Sequence, residues 1–436
     1  MALTGRTALL AALGALVVGL VLPSWAGIGA VTLPVLLAVL VDLALAAPVR
    51  TLRFGRSGAT TVRLGEGATV ELTVTNPSGR PLRALVRDAW APSAWHPGTA
   101  ETASRHAITV PSGERRRLTT ELAPTRRGDH HAHRVTVRSL GPLGLAGRQG
   151  SHLVPWTLRA LPPFTSRKHL PSRLARLREL DGRTAVLIRG QGTEFDSLRE
   201  YLPGDDVRSI DWRASARRNT VAVRTWRPER DRHVLLVLDT GRTAAGRVGD
   251  APRLDATLDS ALLLTALATK AGDRVDLLAH DLRKRGSVLG RSPSDVLPAF
   301  TSAMATLEPA LLETDMRALV SNSLRLAPHR SLIVLFTGLD ARPIEEGLLP
   351  VLPMLTKRHE VVLASVADPR LDELATARGT VKEIYGAAAA EQTRADRRRT
   401  AEHLTRLGVT VLDAAPAALP PALADTYLAL KAAGRL

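Results

Sequence analysis

A stretch of 29 residues, 189–217, holds 11 charged side chains. Two acids, Asp205 and Asp206, stand side by side within it. A pair of carboxyls suits acid-base catalysis when one of them keeps its proton. The flanking arginines would instead hold both carboxyls ionised, because a nearby positive charge favours the charged form of an acid. The pair is therefore a poor general acid, and we predict no catalytic residue here.

Other sequence patterns of catalysis and cofactor binding are missing. Gly190-x-Gly192 lacks the third glycine and the preceding strand of a dinucleotide-binding motif, and there is no GxxxxGK[ST] phosphate loop. There is no GxSxG or HExxH motif. The absence of cysteine excludes disulfides, thiolate zinc sites and cysteine nucleophiles. The sequence predicts a protein that is not an enzyme.

Apolar residues such as Phe195, Tyr201 and Trp212 interleave with the charges of residues 189–217. They favour an ordered backbone, with a type II turn over 202–205 at Pro203-Gly204. The charges then form either an ion-pair network that fixes the segment or a surface that recognises a partner. The structural role is favoured, because buried charges without partners are costly. Both roles remain open.

The same stretch resembles the signature of the DUF58 family, and the likeness extends from about residue 180 to 436. The motifs are Gly-x-Glu-Phe from 192, Leu-Arg-Glu-Tyr from 198, Pro-Gly-Asp-Asp-x-Arg from 203, Ile-Asp-Trp from 210 and Ser-Ala-Arg from 215. The residues expected to bind a partner are Glu194, Arg199, Tyr201, Pro203, Gly204, Asp205, Asp206, Arg208, Asp211, Trp212, Ser215 and Arg217.

The resemblance implies a membrane-anchored protein with a von Willebrand factor A-like domain that works with a MoxR-type AAA+ ATPase. In such domains an Asp-x-Ser-x-Ser motif binds Mg²⁺ together with a threonine and an aspartate from two further loops. Asp239 and Thr243 match the first motif, whereas Gly241 replaces its middle serine. Thr314 is a candidate for the second loop, and Asp340 lies two residues beyond the third position, which Gly338 occupies. The resemblance thus implies a degenerate Mg²⁺ site.

Length and charge limit the number of domains and the kind of partner. A chain of 436 residues suggests two or three domains. The formal charge of +17 fits either nucleic acid or an anionic membrane surface. No nucleic-acid-binding motif is present, and the arginines alternate with acids. We therefore expect membrane lipid as a partner, and no nucleic acid.

Two apolar runs, 7–22 and 27–47, predict a helical hairpin in the membrane within residues 1–50. A signal peptide is the alternative for the first run alone, but a second run follows after a short turn. Arginines at 6, 50, 53 and 56 flank the hairpin, so the positive-inside rule places both ends in the cytoplasm. Asp42 lies near the end of the second span, where snorkelling or helix pairing is favoured.

Short alternating segments separated by turns predict an immunoglobulin-like all-β sandwich over residues 56–163. It contains His130, His131 and His133, a possible metal cluster, although a solvated turn is favoured. A linker helix, Leu170 to Leu180, and the signature segment fill residues 164–230.

Strands and helices alternate over residues 231–436, which predicts an α/β doubly wound, von Willebrand A-like domain. Strands are expected at 233–239, 273–280, 331–337, 360–366 and 409–412. Helices are expected at 254–271, 295–307, 314–326, 344–357, 387–407 and 420–433.

The leading hypothesis is a two-pass protein of the cytoplasmic membrane whose soluble domains face the cytoplasm. It would act as an adaptor or scaffold for a MoxR-type AAA+ ATPase and for other membrane proteins. The alternative is a metal-dependent hydrolase that uses Asp239 and the signature acids. A third hypothesis is binding of nucleic acid by the basic surface.

Overall fold

The structure is a computed structural model that describes residues 2–96, 98–187, 194–202, 205–218, 220–227 and 232–436. The chain divides into two compact units, Met1–Pro163 and Phe164–Leu436.

Two apolar helices begin the first unit. They are α1 (Gly5–Leu20) and α2 (Trp25–Leu45), and Ser24 caps α2 by accepting from the backbone N–H of Gly27. The helices lie close together, since a Cβ added to Gly14 would come within 2.6 Å of Val31 Cγ1. The helical stretch 25–51 is long and apolar enough to cross a membrane, whereas α1 is shorter. One candidate span in the described residues is consistent with membrane anchoring.

The sequence suggested that Asp42 snorkels or takes part in helix pairing, but the structure shows a different role. Its side chain is fully buried near the end of α2. It accepts hydrogen bonds from the backbone N–H groups of Leu143, Leu145 and Ala146, at 2.7–2.8 Å. The sequence-based interpretation was wrong because these donors lie about a hundred residues further along the chain.

Short strands make up most of the first unit, together with the helical turn α3 (Ala100–Ala103). The strands are β1 (Ala2–Leu3), β2 (Arg53–Gly58), β3 (Thr61–Arg63), β4 (Ala68–Thr75), β5 (Leu82–Trp90), β6 (Arg105–Val110), β7 (Arg115–Leu122), β8 (Gly128–Leu140), β9 (Ala146–His152) and β10 (Thr157–Leu161). One antiparallel sheet joins β2, β4 and β7, and a seven-stranded sheet is built around β8.

Alternating apolar side chains from the two sheets share one core. Leu72 and Val74 of β4 pack in it with Val86 of β5 and Val137 of β8. This alternation is typical of sheets that bury one face.

A charged pair is also buried in this unit. Arg56 donates two hydrogen bonds to Asp88, at 2.5 and 2.9 Å, and both side chains are 1% exposed. Asp88 accepts further bonds from Trp90 Nε1 and Thr120 Oγ1. The paired charges are thus compensated inside the protein.

The second unit begins with α4 (Leu170–Leu187), β11 (Glu194–Glu200), α5 (Trp212–Arg218) and β12 (Ala222–Arg227). Its later strands are β13 (His233–Asp239), β14 (Arg247–Val248), β15 (Ala251–Pro252), β16 (Arg274–His280), β17 (Lys284–Val288), β18 (Leu332–Phe336), β19 (Glu360–Val366) and β20 (Val409–Ala414). Its later helices are α6 (Arg242–Ala245), α7 (Arg253–Lys270), α8 (Val296–Ala305), α9 (Met316–Leu326), α10 (Leu352–Thr356), α11 (Arg370–Thr376), α12 (Val381–Arg406) and α13 (Leu419–Ala432).

A six-stranded sheet has the order β17-β16-β13-β18-β19-β20, parallel except for β17. Alternate residues of β13 enter two different cores: Leu236 packs with α7, α8 and α13, while Leu235 packs with α9 and α10. Helices therefore cover both faces, as in doubly wound folds. The strand order reverses between β13 and β18, so their carboxyl ends flank the crevice where such sheets bind ligands.

Two predicted helices differ from the structure. The helix expected over 344–357 is instead a π-helical segment, Pro343–Leu348, followed by α10. Pro350 and Pro353 lie within the expected range, and proline removes the N–H that would continue a helix. The helix expected from 387 begins at Val381, because Thr380 and Glu383 form a capping box.

Candidate functional site

Asp239, the last residue of β13, is the centre of a hydrogen-bond network. Its Oδ1 accepts from the backbone N–H of Gly241 at 2.8 Å and from the hydroxyl of Thr314. Its Oδ2 accepts from the hydroxyls of Thr243 and Thr337, at 3.0 and 2.6 Å. Each carboxylate oxygen thus accepts two hydrogen bonds, and the carboxylate is 2% exposed. The network satisfies this buried charge without any group from outside the unit.

Backbone hydrogen bonds hold the surrounding loops together. The N–H of Arg242 donates to Leu312 O at 2.8 Å, which joins the loop after β13 to the loop before α9. The N–H of Asp315 donates to Asp281 O at 3.1 Å, which ties in the turn after β16. Asp315 also caps α9 by accepting from the N–H of Ala318. Asp239, Thr243 and Thr314, proposed from the sequence as a group, therefore lie together.

Asp340, the fourth residue of that group, lies beside the network without a described hydrogen bond to Asp239. Its carboxylate is 3.5 Å from Arg253. A Cβ added to Gly338 would lie 2.7 Å from Asp340 Oδ2 and 3.2 Å from Thr243 Cβ. The Asp340 carboxylate thus lies where a side chain at position 338 would project, and an arginine neutralises it there.

Gly241 allows the loops to close. A Cβ at this position would lie 2.1 Å from Thr314 Oγ1 and 2.9 Å from Leu312 O. Contacts this short require the Thr314 loop to move. A serine here would therefore disturb the hydrogen bond between Thr314 and Asp239.

The residues of this network do not fit a Mg²⁺ site in this arrangement. Magnesium requires an almost ideal octahedral shell of oxygens. The acceptor positions of Asp239 are filled by internal donors, and Asp340 pairs with Arg253. Gly241 and Gly338 add no side-chain oxygen. Among the residues that the structure describes, no group of three or more His, Cys, Asp or Glu is arranged to hold a metal ion.

Thr337 is a member of the network that the sequence analysis missed. It directly follows the apolar strand β18, and β13 and β18 are paired so that Leu238 lies opposite Phe336. The next residues, Asp239 and Thr337, therefore emerge side by side. Strand pairing was the missing information, because the threonine alone has no distinctive sequence context.

An exposed apolar rim surrounds the network. Leu311 is 81% exposed and Leu312 is 53% exposed, and both lie on the loop that bonds to Arg242. Leu282, in the turn after β16, is 55% exposed. An exposed ion pair between Arg242 and Glu313, at 2.5 Å, lies at the same edge. Leucines grouped on neighbouring loops, with charges among them, are typical of protein-binding surfaces.

In the signature segment β11 pairs with β12 in an antiparallel hairpin, and α5 lies in the connection between the two strands. Arg199 forms a two-bond ion pair with Asp205, at 2.5 and 2.8 Å. The bond from Arg199 is the main cause that lowers the pKa of Asp205, and the N–H of Leu202 adds to it. Tyr201 continues the pairing, since its N–H donates to Val221 O.

Asp211 organises the other end of the hairpin. It accepts from the backbone N–H groups of Arg213 and Ala214 at the start of α5, and from Arg224. The N–H of Ala214 and the Arg224 guanidinium are the leading causes that lower the pKa of Asp211. Ser215 donates to Asp211 O and accepts from the N–H of Ala222. Arg224 is a partner that the sequence analysis did not name.

Four of the remaining signature residues are at the surface. Asp206 accepts from the N–H of Arg208, and the side chains of Arg208 and Arg217 are exposed. Trp212 is 69% exposed. Glu194 lies opposite Arg227 in the hairpin. Pro203 and Gly204, and with them the expected type II turn, lie outside the described residues.

Two of the three histidines of β8 have internal partners, and His133 is exposed. His130 is buried and contacts Ser93 Oγ and Arg126 O, while His131 contacts Thr157 Oγ1. The favoured interpretation as a solvated turn was therefore wrong, since all three histidines lie within β8 and His130 is buried.

Comparison with known proteins places the second unit in a family. The uncharacterized protein Rv1480 of Mycobacterium tuberculosis is 28% identical over 197 residues, which is 45% of this chain and 61% of that protein. The uncharacterized protein YeaD of Bacillus subtilis is 26% identical over 194 residues, which is 44% of this chain and 48% of that protein. The chain thus spans between about half and three fifths of these relatives, whose names assign them no reaction.

Among solved structures, the CARDB domain of a Pyrococcus furiosus protein, crystallised with di-metal ions, aligns at 16% identity over 25% of this chain and 86% of that domain, with a TM-score of 0.18. This similarity is too low to support an argument. The family model described as "Protein of unknown function DUF58" matches residues 197–420. Because this match covers more than half of the sequence, the chain belongs to the DUF58 family.

Proposed function

We propose that this protein is a membrane-anchored adaptor whose second unit binds a cytoplasmic protein partner. The observation that carries the proposal is the rim of exposed leucines, Leu282, Leu311 and Leu312, around the closed network of Asp239. Its polar groups are satisfied internally, so the edge offers a contact surface rather than a reactive centre. An apolar centre with charged side chains at its margin is the usual arrangement of a protein interface.

The membrane part of the proposal depends on α1 and α2. Most of their large apolar side chains are exposed in the structure, including Leu13, Leu16, Leu33 and Leu37. Lipid is the natural cover for helices that are apolar on all sides. Both helices cross the cytoplasmic membrane in this proposal, and the arginines that flank them keep both units on the cytoplasmic side.

The proposed partner is a MoxR-type AAA+ ATPase. This assignment follows from the resemblance of the signature and of the doubly wound sheet to von Willebrand factor A-like proteins that work with such ATPases. The rim lies at the carboxyl ends of β13 and β16, the edge at which doubly wound sheets bind their ligands. The adaptor would hold the ATPase at the membrane and present it to other membrane proteins.

Co-precipitation tests the proposal. The full chain is recovered from solubilised membranes with and without ATP, and an AAA+ ATPase is expected to accompany it. Leu311→Asp with Leu312→Asp is expected to lower its recovery by about tenfold or more, as loss of interface anchors does. Met354→Asp is the matched control, since Met354 is 51% exposed on α10, which precedes β19 at the opposite edge. Failure to recover any such ATPase would contradict the proposal.

A further inference from the structure

The loop between β8 and β9, residues 141–145, is held by the ends of both apolar helices. From α2, the buried Asp42 accepts the N–H groups of Leu143, Leu145 and Ala146. From the start of α1, the hydroxyls of Thr4 and Thr7 donate to Leu145 O. The loop and the helix ends therefore form one hydrogen-bonded body within the first unit.

This attachment sets the depth of the loop relative to a membrane. Asp42 lies three residues before the end of α2, so the loop lies level with the last turn of that helix. At the tip of the loop, Pro142 and Leu143 are exposed, and Leu143 is 50% exposed. If α2 spans the bilayer, this apolar tip lies in the interfacial layer beside the lipid headgroups.

Three arginines surround the same place. Arg148 Nε donates to Leu43 O at 3.1 Å, and Arg80 donates to Ala44 O, so both contact the last carbonyls of α2. Arg6 lies against the loop, with Nη1 3.0 Å from the point where a Cβ on Gly144 would lie. A guanidinium has five N–H donors, and the bonds to α2 use one each on Arg80 and Arg148. The other donors can bind phosphate oxygens, for which the guanidinium geometry is well suited.

The first unit carries a large excess of positive charge. Residues 1–163 contain 18 arginines and 8 acidic residues, and no Asp or Glu occurs in residues 130–178. Asp42 is the one acid in residues 1–65, and it is buried against backbone N–H groups. A surface of this kind is complementary to anionic lipid, which attracts basic residues beside a membrane helix.

We propose that Arg6, Arg80, Arg148 and the tip Pro142-Leu143 form a collar that binds the headgroups of anionic phospholipids. The arginines bind lipid phosphates, Leu143 enters the interfacial layer, and Asp42 fixes the loop at that depth. The inference rests on the membrane anchoring in the proposed function and adds to it a lipid class and a binding surface.

A fluorophore at the loop tip tests the depth of the collar. The chain contains no cysteine, so Leu143→Cys accepts a single environment-sensitive label such as NBD. The full chain is reconstituted in vesicles of phosphatidylcholine alone or mixed with an equal amount of phosphatidylglycerol. Thr125→Cys is the control, because it is exposed near the other end of the 13-residue strand β8, about 40 Å away. Label at 143 is expected to emit at shorter wavelength than label at 125, and more so with phosphatidylglycerol. Equal emission from the two sites would overturn the proposal.

Lipid retention tests the arginines. The variant with Arg6→Gln, Arg80→Gln and Arg148→Gln is compared with Arg87→Gln, Arg105→Gln and Arg134→Gln, which removes three exposed arginines elsewhere in the same sheet. Native mass spectrometry measures how much phosphatidylglycerol each protein retains relative to phosphatidylcholine. The ratio is expected to fall about fivefold per collar arginine removed at low salt. An equal ratio in the two variants would overturn the proposal.

Two further measurements, on a lysine variant and by alkaline extraction, distinguish the possible reasons for a negative result. Replacing the three collar arginines with lysine keeps the charge and is expected to keep most of the preference for phosphatidylglycerol. If the glutamine variant does not fold, the label at position 143 in the otherwise unchanged chain decides the question. Alkaline extraction then separates this inference from the proposed function. A chain that stays in the membrane without preferring anionic lipid contradicts the collar alone, and a chain released from the membrane contradicts the anchoring as well.

Discussion

The hydroxyl of Thr337 donates a hydrogen bond of 2.6 Å to the carboxylate of Asp239. This bond joins the carboxyl ends of β13 and β18, the two strands between which the order of the sheet reverses. With the bonds from Gly241, Thr243 and Thr314 it completes the acceptor set of a buried charge. The edge where a doubly wound sheet usually holds a ligand is therefore closed by the protein's own side chains.

Removing this hydroxyl is expected to destabilise the second unit. Thr337→Val keeps the shape of the side chain but leaves a buried carboxylate oxygen one donor short, at a cost of about 1–3 kcal/mol. Thr337→Ser keeps the donor and is expected to lose much less stability. Urea denaturation of the full chain in detergent measures both free energies of unfolding. Equal stability of the Val variant and the unchanged protein would show that this bond is dispensable.

A serine at position 241 is expected to disrupt the network without creating a metal site. Gly241→Ser places a Cβ 2.1 Å from Thr314 Oγ1, so the Thr314 loop must shift and the melting temperature should fall. Gly386→Ser is the control, since a Cβ there has no neighbour within 4 Å. Isothermal titration with Mg²⁺ accompanies the melting curves. Magnesium binding gained by Gly241→Ser, or found in the unchanged protein, would contradict the poor fit described for this site.

The buried pair of the first unit offers a sharper test of stability. Asp88→Asn leaves Arg56 charged and enclosed, which is expected to cost about 3–5 kcal/mol. Adding Arg56→Met should cost less than the sum of the two single changes, because the partners are coupled. The exposed pair Arg342–Glu346 is the control, and Glu346→Gln there should cost no more than about 1 kcal/mol. Additive effects at Arg56 and Asp88 in chemical denaturation would contradict the coupling.

Acid is expected to destabilise the second unit through His359. Burial lowers its pKa below the ordinary 6.5, and the positive charges of Arg358 and His233 lower it further. Neither ring nitrogen has a hydrogen-bond partner in the described part of the chain. Between the folded and unfolded pKa values, the unfolded chain binds more protons than the folded chain, so stability falls as pH drops below about 6.5.

Asp276 contributes to the loss of stability in acid at a lower pH than His359 does. Burial alone would raise its pKa, but hydrogen bonds from His233, the N–H of Gly290 and Arg274 together lower it. Its stabilising contribution is therefore lost only as pH falls below the ordinary 3.8. His359→Leu should flatten the pH dependence of the unfolding free energy just below the ordinary pKa of 6.5. The exposed His329→Gln serves as a control, and an unchanged slope in His359→Leu would exclude this role.

Sequence patterns predicted the regular elements well where the core imposes them. The mostly apolar run 233–239 coincides with β13, and 360–366 coincides with β19, because strands buried on both faces consist mainly of apolar residues. Helix ends were less predictable. The expected start of α12 at 387 overlooked the capping box at Thr380, and the expected helix over 344–357 overlooked Pro350 and Pro353.

The sites depend on contacts between distant parts of the chain. Asp239 and Thr243 could be paired from their spacing, but Thr337 required the register of β13 against β18. The partners of Asp42 could not be predicted either, since its three N–H donors lie about a hundred residues later, in the loop before β9 and at the first residue of β9. Periodicity indicates which face of an element is buried and gives no information about which loop it meets.

Site-specific photo-cross-linking tests the central claim most directly. A benzophenone amino acid is placed at Leu312 in the full chain, in the native membrane, and at Met354 as the control. Cross-links to a MoxR-type AAA+ ATPase are expected from position 312 and not from position 354, because the first position lies on the rim around Asp239. Cross-links that are absent from position 312, or equally strong from both positions, would contradict an adaptor that binds its partner at this edge.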